Sequence, residues 1–225
     1  ISEQAVDIYR RGVANGNDPH SFIKVGDCMT DHPSFLIPVG EGEYDLGEYN
    51  ALQTVVEHYS AAPEDPFART SQAAAGGFNT ASVDDSMWAN PDVCESGETP
   101  LTCEFRIMQP SVAVIMFGTN DAYYLDAVTF DFYLRSIIVR TINNGTLPVL
   151  STFPVRPEFP DKSVLYNQIV VQVASDYDIP LINLWRALDT LPNQGVDPVE
   201  TTHMTVPEDG HAAHFTETNL TAGFT

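Results

Sequence analysis

The sequence predicts an α/β protein of three layers, with helices on both faces of a central parallel sheet of about five strands. Three observations carry that expectation. Short apolar runs rich in Val, Ile and Phe recur along the chain, each bounded by Gly, Pro or Asp, which is how strands buried on both faces read. Longer stretches with a helical period lie between them, and strands alternating with helices build a parallel sheet covered on both sides. At 225 residues the chain is long enough for one domain with a sizeable core and cramped for two. No internal repeat, low-complexity tract or shift of composition marks a linker, so residues 1–225 read as a single domain.

The first strand is "SFIKV" (21–25), which stops at Gly26-Asp27-Cys28. A helix within 46–59 would place Tyr49, Leu52, Val56 and Tyr59 on one side. "FARTS" (67–71) is a weaker strand candidate, and residues 84–110, rich in turn formers, read as a long surface excursion. The central strand is "SVAVIMF" (111–117). After it, "DAVTFDFYLRSIIVRTINNG" sets Phe130, Leu134, Ile137 and Ile138 on one helix face, and Asn144 and Gly145 end that helix. "LPVLSTF" (147–153) is the next strand. A further helix follows Pro160, with Asp161 as its cap and Leu165, Ile169 and Val173 along one side. "IPLINL" (179–184) is the last strand, and Leu191 to Thr225, rich in Pro, Thr, Gly and His, reads as loop at the sheet edge.

Charge and cysteines narrow the function classes. With 31 acidic against 10 basic residues and a formal charge of -21, the surface repels nucleic acid phosphates and anionic lipids, so nucleic acid is not an expected partner. No run of about 18 apolar residues suggests a membrane span. Cys94 and Cys103 bracket "CESGETPLTC", a short loop that suits a local disulfide in an oxidising compartment and points to a secreted or extracellular protein. Two metal ligands could be spaced this way, but no second close cysteine pair is present. Cys28 is left unpaired. "ISEQAVDIYR" shows no basic and apolar leader, which fits a processed or trimmed chain as well as a cytoplasmic one.

In an open parallel sheet, ligands bind outside the carboxyl ends of the strands. Two loops there stand out: "VGDCMT" after the first strand and "MFGTNDAYY" after the central one. Gly118 permits a tight turn, and Asn120 offers an amide that can point at a developing oxyanion. Alone, Gly-Thr-Asn-Asp is an ordinary turn.

Taken in order, four segments resemble the blocks of the SGNH hydrolases, also called GDSL-type esterases. Gly26-Asp27-Cys28 is similar to their Gly-Asp-Ser, with the serine replaced. "AAAGGFNTAS" supplies the second-block glycine as Gly76 or, preferred here, Gly77. Gly118-Thr119-Asn120-Asp121 meets Gly-x-Asn-Asp in full, and Glu200-Thr201-Thr202-His203 is a near match to Asp-x-x-His. The resemblance spans residues 21 to about 204. It implies a flavodoxin-like α/β/α fold and ester hydrolysis through an acyl-enzyme, without metal or cofactor, on a small-molecule or carbohydrate ester with an acyl or acetyl group. Carried over by position, the nucleophile is Cys28, the base His203 and the orienting acid Glu200. The backbone N–H of Cys28, Gly77 and the Asn120 amide form the oxyanion hole.

The residues leave alternatives open. Asp197 could orient the histidine in place of Glu200, and Glu208 stands three before His211 as Glu200 does before His203. His211 and His214, with Asp209 nearby, have a spacing that metal ligands use and that solvated loops also show. His32, four residues after Cys28, could line the pocket. Trp88 and Trp185 read as packing residues. Cys28 itself reads as a nucleophile that would form a thioester, as the relic of one in a silent binding or structural protein, as a redox-active thiol, or as a small buried apolar residue.

Overall fold

A computed structural model describes residues 1–207 and 210–222. Glu208 and Asp209, invoked above for the alternative histidine and metal readings, lie outside the described residues. In chain order the regular elements are α1 (Glu3–Ala14), β1 (Asp18–Gly26), α2 (Cys28–Asp31), α3 (Ile37–Gly40), α4 (Gln53–Tyr59), α5 (Thr80–Val83) and α6 (Pro100–Met108). They continue with β2 (Pro110–Met116), α7 (Asp121–Tyr124), α8 (Ala127–Asn143), β3 (Leu147–Ser151), α9 (Pro160–Asp176), β4 (Leu181–Ile182), α10 (Leu184–Leu188) and α11 (Glu217–Ala222). The sheet is parallel in the order β1-β2-β3-β4, with Val25 beside Ile115, Ile115 beside Leu150 and Leu150 beside Leu181.

The two faces of this sheet separate two apolar clusters, because successive side chains of a strand point to opposite sides. Ile23, Val25, Ala113 and Ile115 join the larger cluster with α1, α6, α8 and α9. Phe22, Val112 and Val114 turn to the other side, where Phe67, Val39, Val56, Tyr59 and Ala213 meet them. The fold is therefore the expected three-layer α/β/α sandwich.

Several elements depart from the sequence expectation for local reasons. Residues 67–71 are not a strand. The Asp65 carboxylate takes the Phe67 N–H (2.8 Å), and the Arg69 N–H bonds back to the Asp65 carbonyl (3.1 Å), so these groups close a turn and form no ladder. The sheet extends past β1 only at a single parallel bridge, Gly26 to Ala74. β4 keeps only two residues of "IPLINL". Pro180 before it has no N–H to give, and Asn183 after it caps α10 through the Arg186 N–H (3.1 Å).

The excursion expected over 84–110 ends early. Cys94 and Cys103 are disulfide-bonded, but Thr99 and Thr102 form a capping box, Pro100 opens α6, and Leu101, Phe105 and Met108 go into the core. In the helix after Pro160 the N-cap is Phe159, and Asp161 sits in the first turn without capping. Its buried face is Tyr166, Val170 and Val173, while Leu165 is about half exposed. Tyr166 stacks on Phe130 at 4.5 Å, and the Asn167 amide ties both the N–H and the carbonyl of Phe153. Those two anchors set the rotation of α9.

Between 46 and 59 the helix is broken at Tyr49, so Tyr49 and Leu52 stay about half exposed and only Val56 and Tyr59 pack inward. The face expected for α8 is fully buried at all four positions. α1 was not anticipated from its sequence; Ser2 caps it by accepting the Ala5 N–H (3.1 Å), and Ala5, Ile8 and Gly12 are its buried residues.

Candidate active site

β1 delivers the chain to Gly26, and Asp27 then caps the single turn of α2 by accepting the Met29 N–H (3.0 Å). Cys28 is the first residue of that turn and is partly exposed. Its thiol donates to the carbonyl of Thr202 at 3.6 Å. The loop of Cys28 thus lies against the residue that precedes His203.

The loop after β2 is shaped by Gly118. Its φ is +140°, and a Cβ built there would lie 2.0 Å from the Phe153 ring, so both conformation and space demand glycine. That turn brings Asn120 and Asp121 inward. The Asn120 amide donates to the Phe78 carbonyl (2.8 Å), while one Asp121 carboxylate oxygen accepts from the N–H (2.9 Å) and hydroxyl (2.6 Å) of Thr80. Three bonds therefore fasten the Gly118–Asp121 loop to the segment that begins at Gly77. Gly77 has φ +87° with nothing within 4 Å of a built Cβ, so it is conformation that favours glycine there.

His203 sits in a closed loop. Its N–H bonds to the Glu200 carbonyl (2.8 Å), and its carbonyl accepts from the Asp197 N–H (3.0 Å). The Asp197 carboxylate takes the N–H groups of Glu200 and Val199 (2.8 Å each); these bonds, with His203 nearby, hold its carboxyl below the usual range. The Glu200 side chain is exposed. The His32 ring lies 5.3 Å from the His203 ring, centroid to centroid, and its Nδ1 accepts the Ser34 N–H (3.2 Å), which leaves the proton of the neutral ring on Nε2. Burial first, and then His203, lower the His32 pKa.

Burial dominates the electrostatics beneath Cys28. Asp27 is pushed up to about 7 by desolvation, with Asp121 adding to the rise, and burial lifts Asp121 to about 6 against its bonds from Thr80. One oxygen of each carboxylate has no hydrogen-bond partner among the described residues. The Cys28 thiol is pushed up to about 12, by burial first and then by Asp27. It rests as a thiol.

Arg156 and Glu158, in the loop after β3, were missed by sequence reasoning. Arg156 donates to the Thr119 carbonyl (3.0 Å) and pairs with Glu158 (3.2 Å), and Glu158 accepts from the Thr201 hydroxyl. This chain links the Gly118–Asp121 loop to the loop of His203. The strand-end rule that selected the loops after β1 and β2 applies equally to "PVRPEF" after β3 and was the signal available.

His211 and His214 stack on each other at 4.4 Å, and the His214 backbone lies beside that of Asp45 in an isolated parallel β-bridge. Among the described residues the one grouping with metal-ligand spacing is Cys94, Glu98 and Cys103, and both sulfurs there are spent in the disulfide. Trp88 is about half exposed, with its ring edge-on to Phe78 at 6.2 Å. Beside His203 opens a cavity of about 170 Å³ whose wall includes Met29, Phe35, Leu36, Val39 and Phe215.

No family model matches the chain, and neither does any curated protein. Solved structures do. The chain is similar to the lipase/acylhydrolase from Enterococcus faecalis, with a TM-score of 0.53 and 19% identity over 88% of each chain. It is similar to an acetylxylan esterase from Geobacillus stearothermophilus, at TM-score 0.53 and 16% identity over 85% of this chain and 89% of that one. A psychrotrophic esterase from Pseudoalteromonas sp. gives TM-score 0.53 and 11% identity over 82% and 87%. At such identities the likeness establishes the shared fold.

Proposed function

We propose that the protein is a carboxylic ester hydrolase that works through an acyl-thioester on Cys28, within a single domain spanning residues 1–225. The observation that carries this reading is the contact of the Cys28 thiol, at the head of α2, with the carbonyl of Thr202, one residue before His203. In the proposed cycle His203 takes the thiol proton as Sγ attacks the ester carbonyl carbon. The tetrahedral oxyanion is held by the N–H groups of Cys28 and Gly77 and by the Asn120 amide, which has two hydrogens and spends one on Phe78. Collapse expels the alcohol, which receives the proton from His203. Water then attacks the thioester with His203 again as base, releasing the acid and restoring the thiol.

A thiol raised to about 12 favours proton transfer during attack over a preformed thiolate. Asp197 is taken as the group orienting His203, whose charge acts on its carboxyl beside the larger effect of the backbone N–H bonds from Glu200 and Val199; Glu200, the acid that the motif selects, is the comparison. The Cys94–Cys103 disulfide supports action in an oxidising compartment. No helix of the described residues is long and apolar enough to cross a membrane.

The test is turnover of a chromogenic ester by the His203→Ala, Asp197→Asn and Glu200→Gln variants, each checked for a native circular dichroism spectrum. Loss in His203→Ala, a fall of about 10-fold or more in Asp197→Asn and little change in Glu200→Gln are expected. Full activity in a folded His203→Ala variant would remove the base assignment. Activity that appears only in Cys28→Ser would instead mean a silent hydrolase scaffold with a binding role.

A further inference from the structure

We infer that the ester this site takes carries an apolar acyl group of about six carbons, seated in the cavity beside His203. The inference rests on the hydrolase reading above. Met29, the residue after Cys28, and His203 both stand in the cavity wall, so the space opens beside the proposed base and one residue along the chain from the proposed nucleophile. The rest of the wall is mostly apolar, with Phe35, Leu36, Val39 and Phe215 prominent. Its volume of about 170 Å³ is close to the roughly 150 Å³ that holds a benzene molecule in an apolar protein cavity. An acetyl group would leave most of this wall without contacts.

A second apolar cavity, of about 180 Å³, sits at the carboxyl ends of the sheet between Met116, Ser151 and Ile182, and it shares Phe35 and Met204 with the first. Those two residues line both cavities, and in this reading they are the partition that ends the acyl site.

The experiment measures kcat/KM on p-nitrophenyl acetate, butanoate, hexanoate, octanoate and decanoate for the native protein and for Phe35→Ala, with Met204→Ala as a second opening of the partition. Each added methylene buried should raise kcat/KM about 3- to 4-fold up to hexanoate, on the order of 100-fold in all, before it falls at decanoate. Opening the partition should move the optimum toward decanoate. In parallel, hexanamide and acetamide are titrated onto Cys28→Ala by calorimetry, with saturable binding of hexanamide alone expected. A native optimum at acetate without hexanamide binding would overturn the inference and leave the hydrolase reading standing. No turnover by native or Cys28→Ser protein, with hexanamide still bound, would end the hydrolase reading and keep the cavity as an apolar acyl-binding site.

Discussion

Replacing Asp27 by Asn should remove much of the pH dependence of folding stability between about pH 4 and pH 7. Asp27 is 1% exposed, and burial raises its carboxyl from 3.8 to about 7. A folded-state pKa above the unfolded value means that the fold prefers the neutral acid. Its contribution is complete below about pH 4 and is lost as pH rises through about 7. Three units at about 1.4 kcal/mol each come to about 4 kcal/mol, a large share of the roughly 5–15 kcal/mol that holds a domain together. Asn keeps the carbonyl oxygen that accepts the Met29 N–H and cannot ionise. Urea unfolding at fixed ionic strength, in steps from pH 4 to pH 8, reads the effect as a difference between native and Asp27→Asn. Native stability should fall by about 4 kcal/mol relative to the variant across that range. Asp121 is coupled to Asp27, so the two carboxyls titrate as a pair and the drop spreads over the window. Parallel curves for the two proteins would refute the reasoning, because they would mean that Asp27 is already charged in the fold at low pH.

Other perturbations test separate parts of the structure. Iodoacetamide should alkylate Cys28 about a thousandfold more slowly at pH 8 than a thiol of ordinary pKa, and the rate should keep rising past pH 10; mass spectrometry of quenched samples reads both. Gly118→Ala meets the Phe153 ring and a φ of +140°, so it should cost about 3 kcal/mol or more in urea unfolding, whereas Gly76→Ala, with open space around its Cβ, should stay within about 1 kcal/mol. Removing the Cys94–Cys103 disulfide, with a sequence separation of 9 residues, should cost about 2–3 kcal/mol. For a chain of this length that is a fall in Tm of about 5–10 °C by calorimetry.

The readable parts of the fold were those whose signal is local and repeated. Phe130, Leu134, Ile137 and Ile138 lie at helical offsets, and all four are buried as that spacing implies. The apolar runs of β1, β2 and β3 are strands because burial on both faces leaves few other solutions for them. What failed depended on contacts far along the chain. The rotation of α9 is set by Phe130 and Phe153 together with its own pattern, in which Val173 is buried, Ile169 packs against the core and only Leu165 is left exposed. Residues 67–71 have β-compatible composition, but Arg69 pairs with the buried Glu104, 35 positions away, and the backbone closes a turn. At the candidate site, motif order drew attention to Cys28, Asn120 and His203, which the segments after β1, β2 and the last strand carry, and to Gly77 just before α5. The linkage through Arg156, Glu158 and Thr201 has no such motif, since it is a relation between three loops.

The most direct test of the thioester account is hydrolysis of p-nitrophenyl butanoate by native, Cys28→Ser and Cys28→Ala proteins, with intact mass recorded during turnover. The account predicts turnover by the native protein, an adduct of acyl mass that maps to Cys28, and loss of both in Cys28→Ala. Turnover in Cys28→Ala equal to native, or a native protein that stays silent while Cys28→Ser is active, would contradict it.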